Sequence, residues 1–376
     1  MKEIGLYIHI PFCKQKCWYC DFPSFPCKEY LMEEYIEALI KEVNYRIGNN
    51  ININTIFIGG GTPTYLSSEQ LLKLGDKINE LNLNKNIEFS VEANPGTLSE
   101  EKLKALKAIG VNRLSMGLQA VQDYHLKAIG RIHTFKEFKE NFKMARKIGF
   151  DNINIDLMFG LPNQNLEEWI DTLNTICDLN PEHISAYGLI LEEGTAFYKL
   201  YENNKLHMPD EKIERKMYKS TLEILNRNGY EQYEISNFSK KDKECKHNLI
   251  YWNLDEYIGV GSGSSSYLDN LRTSNESNIE KYIESIDKGD CGVKERFENS
   301  INDNMEEFMF MGLRKIKGIS IKKFHEKFNK NIYQVYGEII NKHKKLNLLE
   351  EKDGNLALTS KGIEISNFVM SDFIID

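Results

Sequence analysis

Cys13, Cys17 and Cys20 stand in the run Cys13-Lys14-Gln15-Lys16-Cys17-Trp18-Tyr19-Cys20, a C-x3-C-x2-C array. Three thiolates on so short a segment can converge on one inorganic centre. A [4Fe-4S] cluster held by three cysteines keeps one iron without a protein ligand. That iron can take the amino and carboxylate groups of S-adenosylmethionine (SAM). An electron from the cluster then breaks the sulfonium C–S bond and releases a 5′-deoxyadenosyl radical, while the protein places the reactants and excludes solvent. Zinc is the alternative, since short C-x2-C pieces are common in zinc sites. A closed structural zinc takes four ligands, usually as two pairs, and the second pair is missing, so Cys27 or His9 would have to complete it. Trp18 and Tyr19 suit packing over a cluster and equally suit an ordinary loop core.

Further polar residues fall where apolar runs end. Gly59-Gly60-Gly61-Thr62-Pro63 follows one such run; glycines there let a ligand approach the main chain, and a tight strand-to-helix turn explains them as well. Glu92 lies in Val91-Glu92-Ala93-Asn94-Pro95, Gln119 closes Ser115-Met116-Gly117-Leu118-Gln119, and Arg131 sits in Gly130-Arg131-Ile132-His133. Asp156 lies in Asn154-Ile155-Asp156-Leu157. Such side chains line a barrel mouth or cap loops. Far along the chain, Cys245-Lys246-His247-Asn248-Leu249-Ile250-Tyr251-Trp252 combines an imidazole, a common heme-iron ligand, with rings that can pack on a porphyrin. A packed loop would use the same residues, and Cys245 reads as a small apolar residue. Gly259-Val260-Gly261-Ser262-Gly263 lacks the strand, helix and acidic residue of a dinucleotide fingerprint and reads as a flexible loop near the barrel mouth.

The elements that must position these residues are legible as alternating patterns. Short β-branched or apolar runs at Ile4–Ile10, Thr55–Ile58, Ile87–Glu92, Arg113–Gly117, Asn152–Leu157 and His183–Tyr187 read as strands. Helical periods at Glu29–Arg46, Ser68–Leu81, Ser99–Ile109, Phe135–Ile148 and Leu166–Asp178 separate them. Parallel strands need crossovers and helices supply them, so the pattern predicts an α/β fold, a partial (β/α)6 TIM-like barrel with its chemistry at the C-terminal strand ends. A long amphipathic helix at Glu211–Asn228 and a polar, Gly-containing region to about 292 follow. Residues 1–296 are read as the barrel domain. Residues 297–376 are read as a smaller, winged-helix-like α+β domain, with helices at Ile319–Phe328 and Tyr333–Lys345, a hairpin at Lys352-Asp353-Gly354-Asn355 and a helix from Ser360. Such modules often bind nucleic acid. Arg314, Lys315, Lys317, Lys322 and Lys323 would serve a nucleic-acid-binding regulator, though a solvated helix face accounts for them too.

The bulk properties exclude some classes. A chain of 376 residues, 41% hydrophobic and 28% charged, is globular in composition, and its net charge of −8 gives no general attraction to nucleic acid. No apolar run reaches the ~18 residues a spanning helix needs, and the N-terminus lacks the pattern of a signal peptide. Seven cysteines, four of them clustered as Cys13, Cys17, Cys20 and Cys27, suit metal ligation in a reducing compartment, so the chain is expected to be cytoplasmic.

The cysteine array, Tyr7-Ile8-His9-Ile10-Pro11-Phe12 before it and Gly59-Gly60-Gly61-Thr62-Pro63 after it together resemble the radical SAM superfamily, in its coproporphyrinogen dehydrogenase-like branch. The resemblance covers nearly the whole chain. It implies SAM contacts at Tyr7, Tyr19, Gly61, Thr62, Glu92, Gln119, Arg131 and Asp156. Gly61 and Thr62 would form a shelf for the amino group, Arg131 would fork onto the carboxylate, and Asp156 would accept from the ribose. The branch divides into dehydrogenases that oxidatively decarboxylate coproporphyrinogen III and proteins of the HemW type, which handle heme. The dehydrogenases carry a further cysteine two residues after the third ligand and an extension before the barrel; this chain has Phe22 there and begins shortly before Tyr7. The His-Asn-x-x-Tyr-Trp pattern at His247, Asn248, Tyr251 and Trp252 resembles the heme-binding type, with His247 as the iron ligand. The implied partners are heme, a hemoprotein acceptor and a reductant for the cluster, with room for transient contact with a membrane-bound acceptor and no nucleic acid.

Overall fold

The computed structural model describes residues 2–375. Six parallel strands pair in sequence order: β1 (Lys2–Ile10), β2 (Ile51–Gly60), β3 (Leu83–Ala93), β4 (Arg113–Gln119), β5 (Ile153–Phe159) and β6 (His183–Gly188). Between them run α1 (Met32–Arg46), α2 (Ser68–Asn79), α3 (Glu100–Ala108), α4 (Asp123–Ala128), α5 (Phe135–Ile148) and α6 (Leu166–Leu179). Local chemistry sets these bounds. Thr134 and Glu137 form a capping box at the start of α5, and Gly149, with φ +100°, ends it.

Side chains alternate across a strand. One parity, including Leu6, Ile8, Ile56, Ile58, Val91, Leu114, Met116, Ile155 and Ile184, is buried in a core with Leu39 of α1, Leu74 of α2, Phe142 of α5 and Leu173 of α6. Each such side chain contributes about 1.5–3 kcal/mol by leaving water. The other parity is polar and faces the space the strands curve around.

The chain continues through α7 (Ala196–Glu202) and α8 (Glu211–Arg227). β7 (Glu231–Glu234) and β8 (Asn237–Ser239) then extend the sheet antiparallel beyond β6. After α9 (Lys246–Trp252), β9 (Tyr257–Val260) pairs parallel with β1, and β10 (Ser265–Leu268), β11 (Leu271–Asn275) and β12 (Val293–Glu298) continue outward, with α10 (Ile279–Asp287) after β11. The barrel is therefore open, inside a sheet of 12 strands among the described residues. This corrects the reading of Gly259–Gly263 as a flexible loop: Gly259 is in a strand, and a Cβ on it would lie 2.1 Å from the Ser265 carbonyl oxygen. The glycine serves close backbone approach, not mobility.

The last part comprises α11 (Ile301–Gly312), β13 (Ile319–Ser320), α12 (Ile321–Phe328), α13 (Ile332–Lys345), β14 (Leu349–Lys352), β15 (Asn355–Leu358), α14 (Ser360–Glu364) and α15 (Ser366–Ser371). Asp353 and Gly354 both have positive φ, as a two-residue hairpin turn of the primed type requires. A second core gathers Met309, Phe324, Tyr336 and Leu356, and takes in Leu254 and Tyr267 from earlier in the chain. No helix among the described residues is long and apolar enough to cross a membrane.

Candidate functional site

The cysteine loop leaves β1 and is pinned by three backbone hydrogen bonds from two sides. Gly61 N–H donates to the Ile10 carbonyl and Thr62 N–H to that of Phe12, both at 2.8 Å, and Trp18 N–H donates to the Ile129 carbonyl at 3.1 Å. Gly61 lets the loop lie against the end of β2, since a Cβ there would come 2.7 Å from the Phe12 carbonyl oxygen and 3.1 Å from Cys13 Sγ. Gly60, at φ +109°, presses against His9: an added Cβ would lie 2.4 Å from its ring. His9 is a strut. Its Nδ1 meets the Tyr7 hydroxyl at 2.9 Å and its Nε2 the Pro23 carbonyl at 2.8 Å, while burial pushes its pKa down to about 4. With both nitrogens engaged it does not offer the fourth zinc ligand, and Cys27 is exposed.

The three thiols have polar neighbours. Cys13 Sγ lies 3.6 Å from Thr62 Oγ1, Cys17 Sγ accepts from Arg131 Nη1 at 3.6 Å, and Cys20 Sγ lies 3.8 Å from Ser24 Oγ. Burial raises the thiol pKa of Cys13 and of Cys20. Among the described residues no three His, Cys, Asp or Glu side chains converge closely enough to hold a metal ion directly. A cluster makes a different demand, one thiolate for each of three irons. Three free thiols on one pinned loop beside a guanidinium fit that demand.

Around this loop the structure assembles the other strand-end residues. Arg131 Nη2 donates to Asn94 Oδ1 at 3.0 Å and to the Gly117 carbonyl, while its Nε is buried without a partner among the described residues. Gln119 has φ +77° at a register shift between β4 and β5, and its Oε1 is likewise unpartnered. A strained bulge carrying an unpaired polar group is a feature of ligand sites. Glu92 accepts from Gly60 N–H at 2.9 Å; burial, then the Asp156 charge, pushes its pKa up to about 8. Asp156, raised by burial, accepts from Asn154 Nδ2 at 2.8 Å and Ser115 Oγ at 3.1 Å. Tyr7, Glu92 and Asp156 wall a cavity of about 290 Å³ inside the strands, with Phe22 from the cysteine loop. Tyr19 packs on a small core with Leu126, Met158 and Phe197.

The His247 segment lies deeper. It forms α9, whose first amides, from Lys246 and His247, donate to the Glu88 carboxylate at 3.0 Å each. His247 Nδ1 meets Thr55 Oγ1 at 2.8 Å and Nε2 meets the Tyr251 hydroxyl at 2.8 Å; the ring stacks on Phe57, and burial lowers its pKa to about 3. In this arrangement the ring offers no free nitrogen to an iron. Thr55 is five residues short of the end of β2, about 16 Å along the strand, so α9 closes the barrel from below. Asn248 and Tyr251 line the cavity with His247. Trp252 turns the other way, its ring under the Arg314 guanidinium at 4.5 Å.

Arg113, Ser115 and Tyr187 also face the cavity and were not singled out from the sequence. The signal for them was polar residues at alternate positions within runs that read as buried parallel strands.

Two family models match the chain, the radical SAM superfamily over residues 7–176 and the HemN C-terminal domain over 300–365. The heme chaperone HemW of Bacillus subtilis is 42% identical over 98% of both chains. The chain belongs to the HemW family. Its HemW relative from Lactococcus lactis is 38% identical and covers 100% of this chain and 98% of its own. The fold also matches the coproporphyrinogen III oxidase HemN of Escherichia coli, a radical SAM enzyme, with a TM-score of 0.86 at 21% identity, covering 99% of this chain and 90% of that one. The architecture is thus the radical SAM α/β fold with a C-terminal domain of the HemN type, as its HemW relationship requires.

Proposed function

We propose that this chain binds heme and passes it to a hemoprotein acceptor, with a [4Fe-4S] cluster on Cys13, Cys17 and Cys20 and SAM beside it. The observation that carries this reading is end-to-end similarity to HemW heme chaperones. Phe22, standing where the dehydrogenases have a further cysteine, supports it.

A bound cluster would supply an iron open to the amino and carboxylate groups of SAM and an electron for its sulfonium. The chain's own residues bind and orient. Arg131 and Gln119 offer unpartnered polar atoms at the mouth, Tyr7, Glu92 and Asp156 line the wall below, and Thr62 and Gly61 hold the cysteine loop against β2. The Gly61 and Thr62 amides are engaged in that tie, so their part in SAM binding falls to other atoms. We assign heme to the His247–Trp252 side, where ligation by His247 requires its ring to leave Thr55 or Tyr251. The clustered free thiols suit a reducing cytoplasm. A cluster reductant and transient contact with a membrane-bound acceptor belong to the same proposal.

The test is anaerobic reconstitution, a heme titration and an assay on coproporphyrinogen III. Heme binding without decarboxylation supports the chaperone; turnover selects the dehydrogenase.

A further inference from the structure

Arg113 is 2% exposed, and its guanidinium faces the cavity at the start of β4. Its Nε is buried with no hydrogen-bond partner among the described residues, although a guanidinium carries five donors. The charges nearest it are committed elsewhere. Glu88 receives the Lys246 and His247 amides and the Cys245 thiol; Asp156 receives Ser115 and Asn154. Glu92, one layer nearer the mouth, is protonated below about pH 8. Ser90, paired in register with Arg113, has a buried hydroxyl that is also unpartnered. A buried guanidinium with donors left unmet is a costly arrangement unless a ligand meets it.

We propose that Arg113 receives a carboxylate of the tetrapyrrole. This deepens the heme reading and rests on it. A planar fork suits a carboxylate through two parallel N–H···O bonds. The cavity, at about 290 Å³, is at the small end of ligand sites, so it admits a carboxylate-bearing arm of a macrocycle held outside it. Arg113 lies one layer above the His247 ring, so with a carboxylate on Arg113 and the macrocycle outside the cavity the iron meets His247 only when that ring leaves its seat on Thr55 and Tyr251.

The test uses the reconstituted full chain and two probes, heme and heme dimethyl ester, titrated optically. Wild type should bind the free acid about tenfold more tightly than the ester. Arg113→Met should bring the ratio near one with the ester affinity unchanged, and Arg113→Lys, a charge without the fork, should give an intermediate ratio and serves if Arg113→Met does not fold. Equal binding of acid and ester by wild type overturns the proposal, as does an undiminished ratio in both variants. Failure of wild type to bind either pigment overturns the heme reading itself, and this inference with it.

Discussion

The Thr55 hydroxyl lies 2.8 Å from Nδ1 of His247, joining the second barrel strand to the helix that closes the barrel from below. If His247 reaches heme iron, that bond or the one to Tyr251 must break. If Nδ1 ligates, Thr55→Val removes a bond of the unliganded state alone; if Nε2 ligates, Tyr251→Phe does so. Heme binding should then tighten by roughly twofold to tenfold, the worth of a net hydrogen bond. His247→Ala should weaken binding and shift the heme absorption bands, with cluster content and SAM affinity near wild type. A wild-type spectrum and affinity in His247→Ala would place the iron ligand elsewhere.

Cys13→Ala, Cys17→Ala and Cys20→Ala should each abolish the cluster, and Cys27→Ala should leave it intact, because Cys27 is exposed and outside the array. Iron and sulfide analysis of the four variants reads this directly. Loss of the cluster in Cys27→Ala would end the open-iron reading.

SAM binding should release a proton. Below about pH 8 the free protein holds a proton on Glu92. The sulfonium cation nearby favours the carboxylate, so binding expels that proton. Affinity should therefore rise with pH, by up to about tenfold per unit, and level off above about 8. Calorimetry in buffers of different ionisation heat checks the proton count, and Glu92→Gln should lower that count by one, leaving the proton that the amino group of SAM gives up on binding iron.

Gly60→Ala should destabilise the chain by at least about 2 kcal/mol, since the residue would bear both a left-handed backbone and a collision with His9. Because His9 props the cysteine loop, cluster loading should fall too. Chemical denaturation with an iron assay measures both effects; full stability in the variant would show that the loop shifts freely.

No salt-sensitive binding to duplex DNA is expected. The basic residues that suggested a regulator are partly consumed at the seam between the sheet and the C-terminal elements. Arg314 pairs with Glu234 at 3.4 Å and stacks on Trp252, and Lys315 donates to Asn253, with its pKa lowered to about 8 by burial. Robust binding at physiological ionic strength, falling steeply with added salt and lost on deleting 297–376, would restore the regulator.

The barrel strands were legible because β-branched runs alternate with capped helical periods; α5 falls where its pattern placed it, between Thr134 and Gly149. β9 was not, because Gly259 and Gly261 carry a loop composition and only the tertiary neighbours explain them. The bond partners of His247 were equally hidden, since Thr55 is 192 residues away. Arg113 was passed over because an arginine opening a strand reads as a surface residue until the curvature of the sheet turns it inward.

The pairing of β9 with β1 also orders events during synthesis. Gly5 meets Tyr257 in register, and at about 5–20 residues per second the ribosome delivers the later residue roughly 12–50 s after the earlier one. For that interval the strand leading into the cysteine loop is an open sheet edge, able to pair with another nascent chain.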